Sequence, residues 1–560
     1  MKKIFCTILA LVLLFSLAAC GKQNSDSTNS SNNSPAPGGS SGSSPNAGTE
    51  SGSNSNTGAG SESGSQGTEY PRSITIATSS MGSTMNPIRS SNNSGDYTYM
   101  SFIYEGLVGS KHTGSGYEPR LATSWSSNAD ATVWTFKLRE GVTFHNGKPF
   151  DADDVVCSLQ AVIDLGGESG RYLVYFPLLK AVNKVDKYTV DVVFETGFPL
   201  ALDGLQSGLI FPHEEFEAMG EDLFKWENAC GTGPWILDEW VDGEYTQYRK
   251  FENYWNKANY DSYFETVRLS HVTEASSLVA AHLAGNIQVY APPSGMSIDL
   301  IPLYDSVLDR VDLYKVPIAS IDYLTVQCRE GTPGNDINFR KALSYAIDRD
   351  LIYGALFNGL GSGSVGFFFK DAPVANPSNT NYKYDPELAK QYLAQSNYDG
   401  RTLNYIVRAV VPKLNMEALA IVDMLAEVGI KAEVDPLEGV TYSERMAAGS
   451  YDLVMSSSPL SDFLPARFFT NILNDVNNTS FMDSVMLDMI RAFHAEIDDA
   501  RRIEIGRNVG DRITEVYAPY IAVGNPYAVY AADKGITGLR FYNDGDNDVC
   551  YIDYDPSLAP

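Results

Sequence analysis

Residues able to act as nucleophiles, metal ligands or proton carriers are thinly spread along this 560-residue chain. Its six histidines are isolated, the nearest two, His271 and His282, lying eleven positions apart. No His-Glu-x-x-His, Cys-x-x-Cys or histidine pair at helical spacing is present to hold zinc. From Tyr70 onward neither Gly-x-Ser-x-Gly nor Ser-x-x-Lys occurs, so the commonest serine-nucleophile signatures are missing. Gly147-Lys148 is followed by Pro149, which rules out a Walker loop. Gly361-Gly363-Gly366 has dinucleotide-loop spacing but follows a helix-like run, Arg340 to Asn358, where that loop needs a strand; it reads as a flexible turn. Asp544-x-Asp546-x-Asp548 opens like a calcium loop, yet Val549 stands at the sixth position and Asp555 at the twelfth, leaving a polar surface loop. With 69 carboxylates on the chain, no single acid pair stands out for glycoside hydrolysis. A secreted hydrolase is disfavoured, and the residues point to binding, with no enzyme activity, no cofactor and no metal.

The elements that would position a binding site begin after a leader and a spacer. Lys2-Lys3 precede an apolar run, Ile4 to Leu17, closing on Leu17-Ala18-Ala19-Cys20-Gly21. Charge, a short hydrophobic stretch, then small residues before a cut site define a secretory signal over residues 1–19. The ending resembles the bacterial lipobox, which implies that Cys20 is lipidated and that the protein is held by acyl chains at the extracellular face of the cytoplasmic membrane. Residues 21–69 contain no Leu, Ile, Val, Met or aromatic residue and cannot offset chain entropy by burial. As a flexible coil this tether reaches roughly 35–42 Å root-mean-square.

The body, Tyr70 to Pro560, exceeds what one hydrophobic core usually organises, so more than one lobe is expected. The formal charge of −28 disfavours nucleic acid and anionic lipid as principal partners. Four cysteines remain beyond the leader (Cys157, Cys230, Cys328, Cys550), and three pairings are open to them, with no obligatory bridge expected. Cys157, within Val155–Leu159, reads as a small buried apolar residue. The 33 tyrosines suit a wet cleft, although lobe cores also use such rings.

Several local signatures follow one another. Tyr104-Glu105-Gly106-Leu107-Val108 precedes Glu118–Trp125, and then Trp134–Arg139 alternates like a half-buried strand. In Gly141–Phe150 the pair Asn146-Gly147 supplies a tight turn and His145 a satisfied polar residue. Asp151 then caps a helix that carries Asp154 near its positive end. Gly231-Thr232-Gly233-Pro234-Trp235, Asn253-Tyr254-Trp255, Phe339–Arg349, Tyr384–Lys390 and Met424–Ile430 continue the series. Leu343, Ala346, Ile347 and Leu351 predict one core face of a helix, and Gly231 and Gly233 predict backbone conformations that a side chain would hinder. In this order the blocks closely resemble family 5 extracellular solute-binding proteins, the oligopeptide, dipeptide and nickel receptors of ABC importers.

The resemblance implies an α/β, two-lobe clamp like the periplasmic binding proteins, with a discontinuous first lobe. Lobe I would comprise 70–316 and 527–560 with an inserted subdomain near 115–230, and lobe II 317–526. Hinge crossings fall near Val316-Pro317 and Asn525-Pro526. Implied partners are a peptide or other small solute and the subunits of an ABC permease, with the receptor itself a monomer; a sensor or peptide-binding chaperone without a permease is the alternative on the same fold. Pro465 and Phe468-Phe469 match the family pattern in a way that puts Leu464 where relatives carry the carboxylate for a peptide ammonium group. Asp462, two residues earlier, is the substitute expected there. Arg408 and Arg467 are candidates to clamp a carboxylate, Phe368 with Phe367 and Phe369 to stack on ligand, and Ser456 to line the cleft. The departure at Leu464 keeps an oligosaccharide, a metal chelate or another small solute open beside a peptide.

Overall fold

The fold is organised by one long strand, Tyr520–Asp533, which is almost wholly buried along both faces. That is why its sequence reads as a near-continuous apolar run instead of alternating. Its first half pairs antiparallel with Ser320–Val326 (Thr325 opposite Tyr520), and its second half with Val311–Pro317 (Val311 opposite Asp533, Pro317 opposite Tyr527). Pro526, which lacks an N–H, falls where the two pairings exchange, a place at which no ladder donor is needed. The side-chain amide of Asn525 donates to the carbonyls of Ile318 and Ser320, fixing this changeover. In the computed structural model the described residues run from Tyr70 to Pro560, with 83, 91–93, 112–115, 166–177, 293–294, 319, 365, 370–371, 380–382, 410, 461–463, 476–477 and 542–546 outside them. Cys20, the tether, Asp462, Asp544 and Asp546 therefore lie outside the described residues.

On one side of the changeover the sheet continues through Ser320–Val326, Leu453–Pro459, Leu403–Arg408 and Ala432–Leu437. On the other it continues through Val289–Tyr290, Ser73–Thr78, Thr266–His271, Tyr245–Lys250 and Trp235–Val241. Each side has its own apolar core. One gathers Ile76, Phe102, Tyr104, Phe136, Trp235 and Val267; the other gathers Tyr323, Leu343, Tyr405, Met455, Phe468 and Phe493. This is an α/β two-lobe clamp.

A separate four-stranded antiparallel sheet is built from Ala122–Ser127, Val133–Leu138, Thr189–Phe194 and Leu179–Asp186. Trp134, Phe136 and Leu138 point inward, as their alternation predicts. Helix Ala152–Leu165 follows a reciprocal cap: the Asp153 amide donates to Asp151 at 2.9 Å and the Asp151 amide to Asp154 at 2.8 Å. Asp154 is buried and also accepts from the backbone and ring of His213, so it anchors a second helix besides easing the dipole of its own.

Two local expectations change. The predicted helix face through Leu351 breaks at Ile347, whose backbone is extended; Asp348 then caps a new turn and leaves Leu351 48% exposed. Gly361–Gly363 forms a short strand on the long central one, not a flexible turn. A Cβ at Gly361 would lie 2.3 Å from the ring of Tyr353, and one at Gly524 only 2.1 Å from it, so glycine here permits close approach.

Candidate ligand cleft

Strand direction identifies the edge where a ligand would sit. Ser320–Val326 starts at the changeover and runs away from it. Leu453–Pro459 is antiparallel to it, and Leu403–Arg408 and Ala432–Leu437 run parallel to Leu453–Pro459, so all three finish toward the changeover. On the other side the central strand leaves the changeover, and Val289–Tyr290 opposes it. Ser73–Thr78 and Thr266–His271 follow Val289–Tyr290, so they too finish toward the changeover. Carboxyl ends of parallel strands from both cores thus point toward the changeover, the kind of place where ligands usually bind in open α/β sheets. Helices Pro412–Glu427, Gly439–Ala447 and Ala466–Leu473 begin just after these second-lobe strands, turning their positive ends the same way.

Of the residues singled out from sequence, Arg408 is exposed at its strand end, its guanidinium 4.9 Å from the ring centre of Tyr442. Ser456 lies close enough to Tyr442 to influence its hydroxyl, so Arg408 and Ser456 belong to one cluster. Arg467 is exposed on the first turn of its helix. Phe368 is 2% exposed, packed edge-on to Phe367 and Phe469 and over Gly510; with Phe367 and Phe369 also buried, the three phenylalanines fill the second core and offer no face for stacking. Leu464 is half-buried against that core.

A buried charged group beside the changeover escaped sequence reading. Asp322, on the strand that starts there, binds the Lys413 ammonium at 2.8 Å, while Glu417 one turn further along that helix accepts from Tyr353 at 2.9 Å. Burial, reinforced by the neighbouring Asp322 carboxylate, pushes the Glu417 carboxyl well up. The available signal was a lone acid inside the apolar run Ser320–Val326.

The quoted sequence blocks meet elsewhere, inside the first core. Glu105 accepts from Trp255 Nε1 at 2.8 Å, from the Thr232 hydroxyl at 2.9 Å and from the Tyr254 hydroxyl at 2.9 Å, joining three blocks at one buried carboxylate. His145 Nε2 donates to Gly233 at 2.9 Å, and the Gly231 amide reaches its Nδ1 at 3.4 Å; burial holds this imidazole down to about 4. A Cβ on Gly231 would lie 2.1 Å from the Ile103 carbonyl oxygen, so close approach, not a special φ, demands glycine. Asp548 of the calcium-like stretch is buried in an ion pair with Arg120 at 2.7 Å and accepts from the Cys550 thiol. Among the described residues no three His, Cys, Asp or Glu side chains cluster to hold a metal, and the four cysteines are free, Cys157 only half-buried. No described helix is long and apolar enough to cross a membrane.

Comparison with known proteins agrees with this geometry. Residues 116–480 match the sequence profile of the bacterial extracellular solute-binding proteins, family 5 Middle. Heme-binding protein A of Haemophilus influenzae is 28% identical over 374 residues, covering 62% of this chain and 67% of its own. The dipeptide-binding protein of Escherichia coli K12 is 26% identical over 440 residues, covering 72% and 80%. Among solved structures, NikA from Brucella suis in complex with Fe(III)-EDTA aligns with a TM-score of 0.76 at 19% identity, over 86% of this chain and all (100%) of that one. DppA from Helicobacter pylori in complex with the peptide STSA aligns with a TM-score of 0.69 at 21% identity, over 86% and 98%. At these identities the two structures speak for the fold.

Proposed function

The chain belongs to the family 5 bacterial extracellular solute-binding proteins, a family of binding proteins and not enzymes, and from that premise we propose that it is a lipid-anchored receptor that captures an oligopeptide between its lobes and hands it to an ABC importer permease. Cys20 is the anchor in this reading, with residues 21–69 the tether. Lobe I is 70–316 with 527–560 and carries the insertion at about 115–230; lobe II is 317–526. The observation that carries the proposal is the convergence of parallel-strand ends from both cores on the changeover at Pro317 and Asn525-Pro526. The chain passes between the lobes there near Val316-Pro317 and Asn525-Pro526, so the lobes can close over a solute and preferential binding to the closed form supplies affinity. The relatives that bind a dipeptide and the peptide STSA support a peptide.

Leu464 favours a second ligand class, because an apolar side chain half-buried against the core cannot pair with an ammonium group. A metal chelate or another small solute fits that observation. The test is native mass spectrometry of the gently purified full chain, followed by denaturation to release what it carries. A ladder of short peptides is the expected result, whereas a chelate or sugar with no response to peptide mixtures overturns the peptide assignment.

A further inference from the structure

A cavity of about 280 Å3 opens on the first lobe. Its walls come from three places in the chain: the short strand Tyr117–Pro119 with Arg120, the segment Trp255–Tyr260, and Thr537–Arg540 with Tyr551 and Asp553. Just past the second wall, the Tyr263 hydroxyl donates to the Tyr70 carbonyl and its amide to Asp553, both at 2.6 Å. These contacts sit where Ser73–Thr78 and Thr266–His271 begin, and both strands finish toward the changeover. The cavity therefore lies at the opposite end of the first-lobe sheet from the candidate cleft, and a molecule held there leaves the cleft open.

The charges of the cavity are already matched. Glu118 accepts from Arg540 at 3.0 Å, and Arg120 pairs with the buried Asp548 at 2.7 Å. The walls present Arg120 and Arg540 against Glu118 and Asp553, so an ion of either sign meets its own charge close by. The floor is aromatic. Buried Tyr551 lies under the Arg540 guanidinium, 4.1 Å from ring centre to carbon, and edge-on to Tyr260 at 5.2 Å. Trp255 is half-buried beside them, its indole N–H held by Glu105.

By contrast, the neutral polar groups are largely uncommitted. Asn259 donates to Asn256 at 2.7 Å, which leaves the Asn256 NH2 and the Asn259 carbonyl without partners among the described residues. The Thr537 hydroxyl bonds no described residue, and Asp553 uses only Oδ1, on the amides of Tyr263 and Tyr554. Donors and acceptors interleaved around aromatic rings, with balanced charge, suit a ring that carries several hydroxyl groups. Each hydroxyl donates to one group and accepts from the next, while the C–H faces rest on aromatic carbon.

We propose that this cavity binds one neutral sugar unit, with Asn256, Asn259, Thr537 and Asp553 taking its hydroxyl groups and Trp255 and Tyr260 flanking its ring. The volume stands just below the roughly 300–1,000 Å3 of pockets for drug-sized ligands, which suits a single ring. This site is separate from solute capture in the cleft and does not depend on what the cleft holds.

The test is ligand-observed NMR titration of the full chain with glucose, galactose and N-acetylglucosamine. At least one is expected to bind with a Kd of about 1 mM. Asn256→Ala and Thr537→Val are each expected to weaken that sugar about fivefold. Thr537→Val removes no hydrogen bond between described side chains, and Asn256→Ala removes only the exposed one from Asn259, so both variants keep the fold. The uronic acid and the amino sugar of the same series are expected to bind at least about fivefold more weakly, because each adds a charge. No binding by any of the three neutral sugars overturns the proposal. Binding that both variants leave unchanged also overturns it, since the sugar is then held elsewhere, as does a charged sugar that binds as tightly as its neutral counterpart. The methyl glycoside of the bound sugar separates two sources. Equal affinity supports the site as one for a unit linked in a polysaccharide, and lost affinity supports it as one for the free sugar.

Discussion

Replacing Glu105 separates a scaffold role from a binding role for the blocks that identify the family. The carboxylate is buried and accepts three side-chain hydrogen bonds of 2.8–2.9 Å, from Trp255, Thr232 and Tyr254. Burial pushes its pKa up, while these donors and Arg120 pull it back. Glu105→Leu fills the volume and strands three donors, those of Thr232 and Tyr254 buried and that of Trp255 half-buried. At about 1–3 kcal/mol for each unmet group the loss is roughly 3–9 kcal/mol. At about 2 °C per kcal/mol for a unit of this size, thermal unfolding falls by about 6–18 °C. Glu105→Gln behaves differently. Its single oxygen can serve the donor-only indole of Trp255 and the Thr232 hydroxyl, while its NH2 faces the Tyr254 hydroxyl, which can rotate to accept. The expected loss is about 1 kcal/mol or less. Calorimetric unfolding of the three chains checks this, with Trp fluorescence reporting on Trp255. A Gln variant as damaged as the Leu variant, or a Leu variant within about 1 kcal/mol of wild type, refutes the reasoning.

Two further outcomes follow from the same core. His145 has a folded pKa of about 4 against an ordinary 6.5, so protonation favours the unfolded chain. Its contribution is complete above pH 6.5 and erodes as pH falls from 6.5 toward 4, by about 3 kcal/mol in all. Urea midpoints at several pH values should fall more steeply for wild type than for His145→Gln across that window, and parallel slopes would contradict the assignment. Gly231→Ala drives a methyl to 2.1 Å from the Ile103 carbonyl oxygen, a backbone atom held by the bond that the Gly233 amide donates to it. A loss of about 3 kcal/mol is expected, read as a lower urea midpoint at unchanged slope; a loss below about 1 kcal/mol would mean that the backbone yields there.

Much of the fold was legible because it depends on order along the chain. The alternation at Trp134–Leu138, the Asn146-Gly147 turn and the Asp151 cap are local effects, each decided by side-chain period, φ or a nearby hydrogen bond. Local periodicity misled where distant packing took over. Leu351 continues the helical spacing of Leu343, yet Asp348 offers a cap that ends that register. Phe367–Phe369 read as a stacking surface, but Phe468 and Phe469, a hundred positions later, close over them.

By itself the sequence determined the family, the apolar cores and the absence of recognisable catalytic motifs, since these rest on residue type and local spacing. The tertiary structure decided which polar residues are buried together. Glu105 draws on blocks separated by up to 150 positions, Asp322 meets Lys413 across 91, and Arg120 meets Asp548 across 428. No periodicity encodes such pairings, because each exists only where chain closure brings one side chain to another and excludes water from both.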